Sequence, residues 1–263
     1  MGFMTFSSWR ASFASLFVLL TLVLGAAAQS LGLALDEAVL DDANLVCYSK
    51  KLTFEQDASE LFNDGQLYGL AKLAFEEMRT KFQGDGIRSR RQPGLMAAMA
   101  VGKDIYLTSD VEGGSFLYTY AGTGLNPDVV LALERCQTAL QQDTDLPVDQ
   151  QHRAKASCAG VFAVHQYYLD PDVTEEARKD PPPTRIVAYG KPGMSGPIGP
   201  QSACGGGGQM RDGVLTWGCK QFMEDEDITV PQEPEPAGIS LPNPFPPFTD
   251  KQISILSPGR GDN

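Results

Sequence analysis

The chain has 263 residues, with 21 Lys and Arg against 33 Asp and Glu, a formal net charge of −12. That balance excludes a binder of the nucleic-acid backbone, which needs clustered cations to neutralise phosphates, and it excludes docking on an anionic membrane surface. Hydrophobic residues make up 42%, including 13 Phe and 8 Tyr, enough for a packed core, while 27 Gly and 18 Pro predict long irregular segments.

Arg10 is the only charged side chain in residues 1–28; an apolar run from Leu16 to Leu24 and the small residues Gly25 to Ala28 follow it. A basic start, a short apolar stretch and a small-residue cleavage site predict a secretory signal peptide over 1–28. The apolar run is too short to span a bilayer. The expected mature protein is therefore secreted, soluble and extracellular. No Asn-x-Ser/Thr sequon occurs, so N-glycosylation is not expected.

Residues 29–46 carry weak structural signals and read as a leader. Gln66 to Phe82 predicts a helix, with Leu67, Leu70, Ala71, Ala74, Phe75, Met78 and Phe82 on one face and Lys72, Glu76, Glu77, Arg79 and Lys81 on the other. Arg88 to Arg91 reads as a solvated basic loop. Leu95 to Val101, the turn Gly102-Lys103, and Asp104 to Thr108 predict a β-hairpin. Ser115 to Tyr120 reads as a third strand. Asn126-Pro127 starts a helix running to about Gln141, with Val129, Leu133, Cys136 and Leu140 inward. After a polar loop over 142–156, Cys158 to Leu169 is apolar on nearly every side, the pattern of a buried helix. Asp180-Pro181-Pro182-Pro183 stops it before a strand from Arg185 to Tyr189. A glycine-rich loop covers 190–208, and 217–226 reads as a short helix. The run Gly205 to Gly208 lacks the Lys-Ser/Thr of a phosphate loop. Beyond 227 the composition turns proline-rich, which predicts an extended or disordered tail over 227–263. That tail ends Arg260-Gly261-Asp262, too short a match to carry an assignment.

Five cysteines, Cys47, Cys136, Cys158, Cys204 and Cys219, all lie beyond the predicted cleavage site. In an exported protein they are disulfide candidates, and their odd number leaves at least one unpaired within the chain. His152 and His165 are the only histidines. His165 lies two turns beyond Cys158, about 10 Å along the helix, too far to share a metal with it. It reads as a core histidine, while His152 stands just before the buried helix, at the mouth of whatever site Cys158 opens.

The order helix, hairpin, helix, buried helix opening with Ser157-Cys158-Ala159-Gly160, strand, and a loop reading Ala203-Cys204-Gly205-Gly206-Gly207-Gly208-Gln209 resembles the cytidine deaminase-like superfamily over roughly residues 66–226. Trp217-Gly218-Cys219 and Gln151-His152-Arg153 are similar to segments of secreted fungal deaminase-like proteins. The resemblance implies an α/β fold, a three-layer deaminase-like sheet with helices on both faces, in a domain over 29–226. It also implies a zinc ion held by three protein ligands, with an open position for the attacking water, and a glutamate that moves the proton. This sequence departs from the pattern twice. Gly160 stands where the glutamate belongs, and Gly207 replaces the second cysteine of the later motif, with Cys219 as a substitute. General acid–base catalysis contributes about 10²–10⁴-fold, and glycine supplies none. The expectation is a degenerate site, a remnant pocket around Gly160 and His152, in an extracellular binding or effector-like protein with no cofactor. Its partner is an unidentified extracellular molecule or small ligand. The alternative is an active zinc deaminase with Cys158, Cys204 and Cys219 on the metal; a third reading is a disulfide-stabilised domain without a pocket function. Cys158, Cys204 and Cys219 are expected to pair among themselves rather than bind zinc. Cys47 and Cys136 offer a second bridge, and the spacing leaves the connectivity open.

Overall fold

The computed structural model describes residues 30–121, 128–191, 196–201 and 208–256; the predicted signal peptide, Asn126-Pro127, Cys204 and Arg260-Gly261-Asp262 lie outside them. In chain order the elements are β1 (Ala34–Leu35), α1 (Glu37–Ala43), β2 (Tyr48–Phe54), α2 (Ala58–Leu61), α3 (Asp64–Lys81), β3 (Leu95–Val101), β4 (Asp104–Ser109), α4 (Phe116–Ala121), α5 (Asp128–Asp143), α6 (Ala159–Leu169), α7 (Glu175–Lys179), β5 (Thr184–Gly190), β6 (Gly199–Gln201), β7 (Gln209–Arg211), β8 (Val214–Thr216), α8 (Cys219–Asp225), β9 (Ile228–Thr229) and β10 (Phe248–Lys251).

The protein is mixed α/β. Eight of the described strands form one sheet in the order β1-β2-β4-β3-β5-β6, with β10 also on β2 and β9 also on β5. The β3–β4 hairpin turns at Gly102, whose φ of 52° is left-handed and suits glycine. β3 is antiparallel to both its neighbours, β4 and β5, whereas β9 runs parallel to β5. β3 is buried on both sides, and its side chains alternate between two cores. Met96, Ala98 and Ala100 join Leu67, Leu70, Phe75 and Met78 of α3; Ala97, Met99 and Val101 join Val161, Phe162 and Val164 of α6 and Phe222 of α8. Helices thus cover both faces. α3 forms where the pattern predicts, closed at its start by a capping box in which Asn63 accepts from the Gln66 N–H and the Gln66 side chain accepts from the Asn63 N–H.

Three segments differ from the sequence reading. Ser115 to Tyr120 is not a strand: Phe116–Ala121 is helical, and Thr119 N–H donates to the Ser115 carbonyl at 2.8 Å. Both edges of β4 are already taken by β2 and β3, so the segment that follows cannot extend the hairpin by pairing with β4. The leader is ordered: Asp36 caps α1 by accepting from the Val39 N–H. Residues 228–256 are not a disordered tail. The proline-rich stretch crosses α3 at Gly65 and Gly69, where added Cβ atoms would stand 2.2 Å from the Gly238 carbonyl oxygen and 2.0 Å from that of Ser240. β10 then pairs with β2, and Ile253, Ile255 and Leu256 are buried in the α6 core.

Candidate functional site

α6 and α8 both begin at a cysteine: Cys158 is the N-cap of α6, and Cys219 is the first residue of α8, capped by Gly218. Two interlocked segments bring these starts together. Leu215 N–H donates to Pro147 O at 2.7 Å, Asp149 N–H to Leu215 O at 2.9 Å, and Arg153 N–H to Trp217 O at 2.9 Å. The indole N–H of buried Trp217 donates to Asp149 O at 2.9 Å, and its ring meets His152 edge-on, centroids 5.3 Å apart. Gly218 lies against the Arg153 side chain: a Cβ there would stand 2.9 Å from Arg153 Nε, so any larger residue would have to displace the guanidinium end of Arg153.

The turn from His152 to Cys158 is strained. Lys155 and Ala156 both hold left-handed φ, 50° and 58°, a conformation that costs a non-glycine residue about 1–3 kcal/mol. It persists because His152 overdetermines it. The His152 carbonyl accepts from Lys155 N–H at 2.6 Å, and its ring Nδ1 accepts from Ala154 and Ala156 N–H at 3.2 and 3.4 Å. Two N–H donors on Nδ1 leave the ring proton on Nε2, which is buried without a hydrogen-bond partner. Burial, reinforced by the neighbouring Arg153 charge, lowers the imidazole to about 4, so the ring is neutral at ordinary pH.

One donor atom each from His152, Cys158 and Cys219 lie within 4.8 Å of one another, an arrangement able to hold a metal ion. The two sulfurs are 3.2 Å apart and unbonded to each other. Tetrahedral zinc with 2.3 Å bonds spaces two sulfurs by about 3.8 Å. Burial, then the Asp110 carboxylate, pushes the Cys158 thiol up to about 12. Asp110, which sequence reading did not single out, follows β4. It accepts from Gly94 and Leu95 N–H at 2.9 Å each, and burial raises its carboxyl to about 7. Its only sequence signal is its place at the end of a hairpin arm. Gly160 is closely packed: a Cβ there would meet Met223 Cε at 3.0 Å and Ile186 Cδ1 at 3.4 Å, which a small shift of Met223 accommodates but which leaves no space for a longer side chain without larger movement.

The structure thus gathers three of the expected site residues, His152, Cys158 and Cys219, with Gly160 two residues into the helix that Cys158 caps. Cys204 lies outside the described residues. The expected Cys47–Cys136 bridge is not formed. Both are free buried thiols on different elements, Cys47 at the start of β2 and Cys136 inside α5, and burial raises both, Cys136 to about 12. His165 is a core residue, its Nε2 2.9 Å from the Ile255 carbonyl oxygen. No family model matches the chain, and neither does any curated protein or solved structure.

Proposed function

We propose that the chain is a secreted protein with a deaminase-like fold whose catalytic position is closed, acting outside the cell as a binding or effector-like protein. The observation that carries this reading is the packing around Gly160. The resemblance places the proton-moving carboxylate there, and Met223 and Ile186 occupy the space it would need. The resemblance itself is supported by three features: a central strand antiparallel to both neighbours, helices on both faces, and two helices that start at converging cysteines.

A zinc deaminase is the second reading, favoured by the convergence of His152, Cys158 and Cys219. Thiols and an imidazole are donors that zinc accepts, and the buried, unpartnered Nε2 is where the histidine would offer itself. Two features disagree. Nδ1 already accepts two N–H bonds, whereas a ligating imidazole donates from its second nitrogen. No carboxylate stands at 160 to serve a metal-bound water. The site therefore fits zinc in its donor types and not in its hydrogen bonding, and no catalytic step follows from it.

The experiment is metal content by elemental analysis, a free-thiol count, and ammonia release from cytidine and adenosine, on protein purified without chelator or reductant. The expected outcome is no stoichiometric zinc and no ammonia. About one zinc per chain together with ammonia release overturns the reading.

A further inference from the structure

We propose that Lys51 and Asp170 are the two ends of an intramolecular isopeptide bond, which the folded protein forms by itself between β2 and the end of α6. Lys51 Nζ lies 2.5 Å from Asp170 Oδ2, and both residues are buried. A carboxyl C–O bond of about 1.2–1.3 Å then puts Asp170 Cγ within about 3.8 Å of that nitrogen.

The register of the sheet brings the reacting groups together. Lys51 on β2 stands opposite Tyr106 on β4, and Thr53 opposite Asp104, so the four side chains share the sheet face that α6 covers. Thr53 Oγ1 donates to Asp104 Oδ1 at 2.6 Å, and Asp104 Oδ2 lies 3.2 Å from Lys51 Nζ. Asp170 ends α6, and its backbone carbonyl accepts from Val173 N–H at 3.2 Å and from Arg178 Nη2 at 3.0 Å. Nucleophile and carboxyl are thus held at contact by two rigid elements, which removes the entropic cost of bringing them together.

Burial lowers the Lys51 ammonium, but Asp170 and Asp104 outweigh it and hold the group above its ordinary value. The ion pair is therefore the resting state, and the reaction starts with a proton transfer inside it. Lys51 gives one proton to Asp170 Oδ2, leaving an amine beside a carboxylic acid. The amine lone pair attacks Cγ and forms the C–N bond. Charge gathers on Oδ1, which accepts from Asp172 N–H at 2.9 Å. Asp104 takes a second proton from the nitrogen and returns it to Oδ2; the C–Oδ2 bond breaks and water leaves. Tyr106 OH donates to that departing oxygen at 2.7 Å. The third proton stays on the amide nitrogen, facing Asp104. An ammonium and a carboxylate become an amide and one water, so no oxidant, reductant or cofactor is consumed. Keeping two charges out of water is costly, and condensation replaces both with a neutral amide. Asp104 and Asp172 also approach Lys51, but their side chains reach solvent, 22% and 60% exposed, whereas that of Asp170 does not.

The test is the intact mass of the purified, reduced and unfolded protein, with peptide mapping. The wild type is expected to weigh about 18 Da less than its processed sequence, with one branched peptide joining Lys51 to Asp170 and no tryptic cut after Lys51. Lys51→Arg, which keeps the cation, should have full mass, and Asp170→Asn should lose about 17 Da, as ammonia leaves in place of water. Asp104→Asn should be recovered at least tenfold less cross-linked than the wild type. Wild type at full mass after days at neutral pH, with Lys51 and Asp170 in separate linear peptides, overturns the bond. So does a mass loss that persists in Lys51→Arg or maps to other residues. Asp104→Asn as fully cross-linked as the wild type overturns the role given to Asp104. None of these readouts depends on zinc or ammonia release from nucleosides, so the bond and the proposed function fail separately.

Discussion

Acid should loosen the strap formed by the C-terminal segment, and His165 sets the size of the effect. His165 is 3% exposed and its Nε2–H donates to Ile255 O at 2.9 Å, while Nδ1 is buried with no partner. Protonation would place a charge where nothing accepts it, and burial accordingly lowers the group from 6.5 to about 4. The folded pKa lies below the unfolded one, so between these values the unfolded chain binds the extra proton. The stability is present at neutral pH and falls as pH drops from about 6.5 towards 4. For one such group the loss between pH 7 and pH 4.5 is about 2.5 kcal/mol. Two other groups titrate in the same window. His152, also lowered to about 4, adds a loss of the same sign, and Asp110, raised to about 7, opposes both because its folded form binds a proton first as pH falls. The whole-protein profile mixes all three, but a variant isolates one. His165→Gln keeps an amide donor in reach of Ile255 O and removes the titration. Urea unfolding followed by Trp217, the only tryptophan beyond residue 28, gives both stabilities at pH 7 and pH 4.5. Relative to its deficit at pH 7, the variant should gain about 2.5 kcal/mol on the wild type at pH 4.5. A difference between the two that is the same at both pH values refutes the reasoning.

Other substitutions probe the remaining supports. Lys51 Nζ lies 2.5 Å from Asp170 Oδ2 and 3.2 Å from Asp104, and Tyr106 OH donates to Asp170 at 2.7 Å, all deep under the sheet edge. Lys51→Met should lower stability by about 3–5 kcal/mol, because Asp170 is then buried without its cation; adding Asp170→Asn should recover part of that in the same urea assay. Gly69→Ala is a gain of about 1 kcal/mol on helix propensity alone, yet its Cβ would stand 2.0 Å from Ser240 O. It should instead destabilise the protein and open residues 231–247 to limited proteolysis. Gly160→Ala should be close to neutral, since the tighter contact is the flexible end of Met223. Gly160→Glu, burying a carboxylate between Met223 and Ile186, should lower the unfolding midpoint sharply and release no ammonia from cytidine with zinc added; activity in that variant would mean the position still serves catalysis.

The parts of the fold written in local pattern were legible. Helical spacing from Leu67 to Phe82, the Gly102 turn between apolar runs, and the all-round apolar stretch from Ala159 to Leu169 each follow from contacts within a few residues. β2 escaped, although it is central to the β10–β2–β4 pairing, because Lys50 and Lys51 interrupt its apolar run. Lys51 is buried all the same, neutralised by Asp170, which is 119 residues away in the chain. The leader and the C-terminal segment were misread for the same reason. Asp36 caps α1 and also accepts from Ser254 Oγ at 2.9 Å and Ile255 N–H at 2.8 Å, so each of two weak segments is ordered by the other. The β7–β8 hairpin did leave a local signal, Asp212-Gly213, whose φ values of 52° and 82° fit a turn with both central residues left-handed.

The site was half legible, and the half that was missed changes its chemistry. Cys158 and Gly160 follow from one short motif at a helix start, so sequence alone placed them. Pairing Cys158 with the correct second sulfur required knowing which helix start lies opposite, and a glycine-rich segment around Cys204 looked closer to the motif than Trp217-Gly218-Cys219 did. The topology brings the start of α8 beside the start of α6, through β9 parallel to β5 and the bonds of Asp149 and Arg153 to Leu215 and Trp217. His152 joins because its own ring caps the strained turn leading into Cys158, a contact that spans only four residues and is invisible to any periodicity. Once that ring accepts two backbone N–H groups its remaining nitrogen is a donor. A histidine whose unpartnered nitrogen carries the proton is not set to ligate a metal, whereas one that accepts there would be. The tautomer of one side chain, fixed by Ala154 and Ala156, therefore weighs against the zinc reading, in the same direction as the sequence expectation that these cysteines do not bind metal.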